Sequence, residues 1–429
     1  MKLSATRTMF HHHTMETNLG RASSKRMSWM WNDLILVLVF VTVFGVEANL
    51  VVESSQFDDR SSNIGNNNST KMLKVLKHLR KINKPSIKSI QSSNGDIIDC
   101  IDRHKQIAFD HPFLKNHKIQ DPPKMPSIHI ARVNTTNFTI DNAQSWHVNG
   151  DCPEGTIPVR RTSIEDLMRE KSHQHYGKKI ALLPPNEYAV ASVDGNYYGA
   201  EATINIWAPK VENNEFSSSQ IWVVSGSFQN PGLNAIEAGW LVDPSLYGDS
   251  NPRLFTYWTA DSYKKTGCYN LLCSGFVQYS KKIAVGAAIR PISQYSGKQF
   301  EITITLWKDQ QSKNWWMAFQ DEYVGYWPSQ IFTNLDHATH MEWGGQILNS
   351  KPNGQHTTTE MGSGHFAKEG SRKSSYFRAL RTVDDKNAYR DAINFTTFTS
   401  NTNCYSIERS RNSNNFFYYG GPGRSPNCR

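Results

Sequence analysis

From residue 185 to residue 429 the chain reads as one short β segment after another, and this limits the fold more than any other feature. In "KQFEITITLWKD", Phe300, Ile302, Ile304 and Leu306 alternate with Glu301, Thr303, Thr305 and Trp307. That is the period-2 pattern of a half-buried strand. "ATINIWAP", "SQIWVVSGS", "RLFTYWTAD", "KKIAVGAAI" and "NWWMAFQDEYVGYWP" are further strand candidates, and "KDQQSKNW" reads as a hairpin turn. Many short strands with almost no helical periodicity predict an all-β domain built as an antiparallel β-sandwich or barrel.

The preceding region is different. "SSQFDDRSSNIGNNNST" (54–70) is low in complexity and reads as disordered. In "KMLKVLKHLRKINK" (71–84), Leu73, Leu76, Leu79 and Ile82 recur at three-residue steps, predicting an amphipathic helix ended by Pro85. Residues 95–160 read as irregular chain. "SIEDLMREK" predicts a short helix capped by Ser163, with Glu165 and Asp166 in its first turn. "LLPPNEY" (182–188) punctuates the chain and marks the boundary. Near the start, Leu34 to Val46 is an apolar run that suits a signal-peptide core and is short for a membrane span. Lys25 and Arg26 precede it, and Val46-Glu47-Ala48 offers small residues for cleavage; a signal anchor is the alternative. The expected organisation is a signal peptide at 1–48, a smaller mixed or irregular unit with a short helix at 49–184, and the β domain at 185–429.

A net charge of +9 raises the question of nucleic acid, but much of the basic charge lies early and the C-terminal half is close to balanced. No basic–aromatic stripe accompanies it, so a nucleic-acid surface is not expected. The six cysteines suit an oxidising compartment. Cys268 and Cys273 bracket a tight loop, Cys404 and Cys428 could close the C-terminal tail, and Cys100 is left with Cys152, although spacing alone allows other pairings. Sequons at Asn67, Asn68, Asn134, Asn137 and Asn394 are compatible with glycosylation. Secretion to the extracellular space or apoplast is expected, with the vacuole as the other destination and no membrane span after signal cleavage.

Common catalytic signatures are absent: no G-x-S-x-G elbow, no H-E-x-x-H, no phosphate-binding loop and no dinucleotide fingerprint. His337 and His340 in "HATH" lack a well-spaced third ligand, so neither metal nor cofactor is expected. What remains is acids and amides in apolar, Gly- and Trp-rich strands. "NAIEAGWLV" sets Glu237 between Ile236 and Ala238, where partial desolvation would raise a carboxyl pKa. "EWGGQILNS" carries Glu342 and Gln346 about 13 Å apart along a strand, at about 3.3 Å per residue. Its Gly344-Gly345 pair signals a bulge or a close backbone approach.

Taken together, the motifs resemble the neprosin family, plant secreted prolyl endopeptidases of the glutamic-peptidase type. "DIIDCIDRHKQIAFDHPFLKNHKIQ" and "CPEGTIPVRR" are similar to the family's activation peptide. "IEAGW", "YWTADSYKKTGCYNLLCSGFVQ", "EWGGQ", "TTTEMGSGHF" and "YYGGPG" are similar to its catalytic domain, and the similarity runs from about residue 72 to the C-terminus. The resemblance implies an antiparallel β-sandwich and a catalytic pair of glutamates on neighbouring strands. The first falls on Glu237. The second is the last residue of W-G-G-E, and this chain has Gln346 there. Glu342 matches the residue before the tryptophan, outside the pair. The resemblance also implies the disulfides Cys100–Cys152, Cys268–Cys273 and Cys404–Cys428.

A glutamine gives up no proton, but its amide is a permanent donor of nearly the same shape as glutamic acid. Two functions are therefore expected in the alternative. One is a zymogen of a proline-cleaving endopeptidase, with Glu237 as base, Gln346 as oxyanion donor and the N-terminal unit as its own inhibitor. The other is a catalytically impaired relative that binds proline-rich cell-wall proteins or peptides. Trp240, Tyr257, Trp258 and Trp343 are candidate aromatic walls for a proline ring.

Overall fold

Among the described residues two antiparallel sheets dominate, one of six strands and one of nine, the latter including the short strands β9 (Val277–Gln278), β15 (Tyr389–Asp391), β17 (Ser406–Arg409) and β18 (Phe417–Gly420). The structure, a computed structural model, describes residues 62–127, 143–169, 176–179, 186–227 and 232–429. The apolar run at 34–46, the sequons at Asn134 and Asn137, and residues 182–185 of the boundary motif lie outside these. Among the described residues, no helix is long and apolar enough to cross a membrane.

The N-terminal part holds α1 (Ser62–Ile82), a three-stranded antiparallel sheet of β1 (Ser86–Gln91), β2 (Ile97–Asp102) and β3 (Thr156–Arg160), and α2 (Ile164–Arg169). The helix starts earlier than expected, so residues 62–70 are helical rather than disordered. Its buried face is also different: Val75 and Ile82 are buried and Leu79 partly so, whereas Leu73 and Leu76 are exposed. Spacings of four and three follow the true helical period, which a strict three-residue step drifts away from. The cap of α2 is as expected. Ser163 Oγ accepts the Asp166 N–H at 3.1 Å and the Asp166 carboxylate accepts the Ser163 N–H at 2.9 Å.

The six-stranded sheet comprises β4 (Asn186–Tyr197), β6 (Ser217–Ser225), β7 (Asn234–Val242), β8 (Arg253–Thr259), β13 (Ala338–Leu348) and β16 (Thr396–Thr399). The other sheet is centred on β5 (Gly199–Asn205), β10 (Glu301–Lys308), β11 (Trp315–Phe319), β12 (Glu322–Trp327) and β14 (Ser375–Val383). Alternate residues meet between the sheets: Ala202, Ile204, Ile302, Ile304, Leu306 and Met317 from one, Ile221, Ile236, Ala238, Trp240 and Trp343 from the other. Burying each large apolar side chain contributes about 1.5–3 kcal/mol.

Two strand expectations change. β10 is buried on both faces rather than half-buried. Its outer face carries Trp307 against Trp316 and Tyr326, and this layer also contains Ala108, Phe109, Ile119 and Met125 of the N-terminal part. "KKIAVGAAI" forms no strand. Ala284 and Ala287 pack under the three-stranded sheet with Ile90, Ile98 and Trp146. The Gln144 amide pairs both backbone groups of Ala284, at 2.8 and 2.9 Å, in place of a neighbouring strand. The expected disulfides Cys100–Cys152, Cys268–Cys273 and Cys404–Cys428 are all present.

Candidate active site

Side chains alternate across a strand, so residues paired in register share a face. Glu237 on β7 pairs with Trp222 on β6 and Tyr257 on β8, and Trp222 pairs with Glu342 on β13. Two residues along, the row reads Gly239, Gln220, Gly344, and two further it reads Leu241, Ser218, Gln346. Glu237, Gln220, Glu342 and Gln346 therefore occupy the outward face of the six-stranded sheet. The alternate residues Trp240 and Trp343 point into the space between sheets.

β6 stands between β7 and β13, so Glu237 and Gln346 are not on neighbouring strands as the resemblance implies. Gln220 bridges the gap. Its Nε2 donates to Glu237 Oε2 at 2.7 Å and lies 3.4 Å from Gln346 Oε1. The bridge depends on glycines at both sides. A Cβ on Gly239 would lie 2.0 Å from the Ser219 carbonyl oxygen, and one on Gly344 2.3 Å from that of Ala189. The strands approach too closely there for any side chain, and the Gln220 amide has no side-chain neighbour within its row. Close approach, without a register shift at Gly344-Gly345, is thus what the glycine pair provides.

Glu237 is fully buried, beyond the partial desolvation expected of it. Its Oε2 also receives the Lys179 ammonium, and its Oε1 accepts the Tyr263 hydroxyl at 2.9 Å. Tyr263 and its predecessor Ser262 have φ of 61° and 60°. Such left-handed non-glycine residues store strain of the kind that clusters at functional sites. Gln346 Nε2 donates to Tyr188 Oη at 3.3 Å. Burial, followed by the charges of Glu342 and Glu237, holds the Tyr188 phenol above its ordinary value, so it remains a neutral donor. Glu342 keeps a partly exposed surface. Enclosure of its carboxyl, with the Glu237 and Asp194 charges acting against that of His340, still raises it to about 7.

Of the four aromatic candidates, Tyr257 alone stands on this face; its Oη accepts the Lys179 backbone N–H at 3.1 Å. Trp240 is core, its Nε1 donating to the Asn205 carbonyl at 2.9 Å, and Trp343 is fully buried as well. Trp258 packs edge-on against Phe332 and His111. These three large rings fill volume, which is what buried tryptophans in a sandwich do. The residues that sequence reading missed are Gln220, Tyr188, Tyr263 and Lys179. Gln220 had a signal, an amide within an apolar strand, but the others join the site only through register and loop geometry. His340 faces Asp194 at 2.8 Å and His337 lies against the Tyr198 ring. His356, Cys404 and Cys428 cluster tightly, but both sulfurs are committed to a disulfide.

A model of the neprosin family matches residues 213–422, and one of the neprosin activation peptide matches residues 89–201. The chain belongs to the neprosin family. It carries the family's activation peptide ahead of a peptidase domain, and the matched range of that peptide runs on into β4 and β5. Among solved structures, scytalido-glutamic peptidase with a peptide-based transition-state analogue is similar at 10% identity and a TM-score of 0.33, over 56% of this chain and 99% of that one. SCP-B, an eqolisin peptidase in complex with the tripeptide Ala-Ile-His, is similar at 9% identity and a TM-score of 0.30, over 55% and 97%. Likeness this distant leaves the reading of the neprosin site to its own residues.

Proposed function

We propose that this neprosin is a glutamic endopeptidase, secreted as a zymogen, that cleaves peptides at proline. The observation carrying this reading is the Glu237–Gln220–Gln346 bridge, which aligns a carboxylate and an amide across three successive rows on the outward face of the sheet. Glu237 takes a proton from water, and the water oxygen attacks the scissile carbonyl carbon. The Gln346 N–H, with the neutral Tyr188 hydroxyl beside it, donates to the developing oxyanion. When the C–N bond breaks, Glu237 returns the proton to the leaving nitrogen. Gln220 holds the carboxylate in place throughout. Trp222 and Tyr257, the register partners of Glu237, are the aromatic surfaces against which a proline ring would lie.

Paired cysteines support an oxidising compartment, and exposed Asn394 is open to a glycan. The N-terminal unit ending near residue 184 is assigned as the inhibitor, because Lys179 lies on Glu237. The impaired-enzyme reading, binding of proline-rich wall proteins or peptides, is favoured by one observation: Gln346, Gln220 and Tyr188 leave Glu237 as the sole proton carrier of the bridge. Cleavage of a proline-containing peptide by the processed protein across pH 2–8 separates the two. Activity in wild type that falls on the order of a hundredfold or more in Glu237→Gln supports the peptidase. Activity that appears only in Gln346→Glu establishes the impaired relative.

A further inference from the structure

Glu237 is faced by more than a counter-charge. The Lys179 Nζ sits 5.0 Å from the centre of the Tyr257 ring, 5.7 Å from that of Tyr269 and 5.8 Å from that of Tyr263. All three distances are within cation–π range, on the order of 6 Å. The rings brace one another, Tyr257 and Tyr269 meeting edge to face at 4.8 Å. Near-equal distances from one point suit a compact ammonium better than a planar guanidinium fork. Tyr263 and Tyr269 belong to the loop after β8, and the Cys268–Cys273 disulfide closes the part of it that carries Tyr269. The backbone brings the lysine in: Gly177 O accepts the Tyr269 N–H at 2.7 Å, and the Lys179 N–H reaches Tyr257 Oη.

We propose that Glu237, Tyr257, Tyr263 and Tyr269 form an ammonium pocket, filled in the full chain by Lys179 and able to take a primary alkylammonium ion when that side chain is gone. The pocket stands on this geometry alone. Its consequence, that Lys179 silences the enzyme by tying up the base, rests on the reading of Glu237 as catalytic. Removing one partner of a buried pair leaves the other charge uncompensated, so the vacated pocket should welcome a replacement cation. Lys179 lies within the N-terminal unit that the family resemblance marks as the inhibitor. The role attaches to one side chain rather than to general coverage of the cleft.

The test uses the full-length chain with Lys179→Ala and n-butylammonium chloride as probe, against sodium chloride at equal ionic strength. The variant should melt below wild type, and n-butylammonium should raise its Tm while leaving wild type unmoved. Equal shifts in both proteins, or no shift in a folded variant, overturn the pocket. If Lys179→Ala does not fold, Lys179→Met, which keeps most of the stem, replaces it; a Met variant as stable as wild type overturns the ion pair. Activity separates this pocket from the peptidase reading. Unprocessed Lys179→Ala should cleave a proline peptide that unprocessed wild type leaves intact, with n-butylammonium as a competitive inhibitor. A variant that binds the amine but cleaves nothing supports the pocket and counts against the peptidase. A processed enzyme that cleaves but neither binds nor is inhibited by the amine overturns the pocket alone.

Discussion

Glu342 and Gln346 show how much one residue's surroundings decide. Both are on the outward face of β13, yet Gln346 joins the bridge while Glu342 sits two rows from it, in Glu237's own row but with Trp222 between them. Burial, then the nearby carboxylates, raises the Glu342 carboxyl from 4.5 to about 7. A raised acid holds its proton longer in the folded state, so folding binds protons between these values and stability falls as pH rises from 4.5 through about 7. Glu342→Gln should remove that decline. Urea midpoints of the two proteins should agree near pH 4 and favour the variant at pH 8; parallel pH profiles would show that Glu342 ionises freely. The sequence marked both residues and, through the family motif, ranked Gln346 first. It showed Gln220 as an amide in an apolar strand but not its place between Gln346 and Glu237, because that contact depends on which strand lies between β7 and β13.

At the scale of the strand, most of the fold was legible. The period-2 run of Phe300 to Leu306 became β10, and "NAIEAGWLV" became β7 with Glu237 on the outward face. "KKIAVGAAI" misled because its apolar content serves docking under β1–β3, with the Gln144 side chain standing in for a strand. The aromatic candidates misled for a related reason. Trp240 and Trp343 follow the same alternation as Glu237 and Gln346 but shifted by one residue, which carries each to the opposite face. Gly239 shows how closely β6 and β7 must approach. Gly239→Ala would drive a methyl into the Ser219 carbonyl and the Gln220 Cα, 2.0 and 2.6 Å away. It should cost about 1–3 kcal/mol, as overpacking does, and peptide cleavage should fall further than the melting temperature alone explains, since Gln220 moves with the strand. Unchanged activity in a destabilised variant would show that the bridge is not needed.

At the scale of the whole chain, the N-terminal part is held by a buried ion pair. Arg253 on β8 donates to Asp96, just before β2, at 2.7 and 3.1 Å, and Arg160 donates to the same carboxylate at 2.8 Å. Burial alone would raise the Asp96 pKa, but the Arg253 charge and hydrogen bonds, with Arg160, hold it below 3.8. A depressed acid contributes stability above its ordinary value and loses it as pH falls through the lower, folded one. His356 acts in the other direction. Burial would lower it, but the Glu187 carboxylate and the Thr357 carbonyl, facing its two ring nitrogens at 3.0 and 2.8 Å, raise it above 6.5, so its contribution is present in acid. Acidification below 3.8 should therefore loosen β1–β3 before the sandwich. Hydrogen exchange should show faster exchange in β2 than in β7 in acid, and Asp96→Asn should show the same contrast already at neutral pH; uniform loosening would refute this assignment.

Lys179 lies only a short run of chain ahead of Asn186, the first residue of β4. A tether that short holds the ammonium at an effective concentration on the order of millimolar or above. No free amine at trace level competes with it, and dilution does not relieve it. One scission between residues 179 and 186 changes the molecularity: the same lysine becomes a ligand whose occupancy depends on volume. Escape from inhibition would then be governed by how far the severed segment diffuses, so a crowded and a dilute solution would report different thresholds for the same cut.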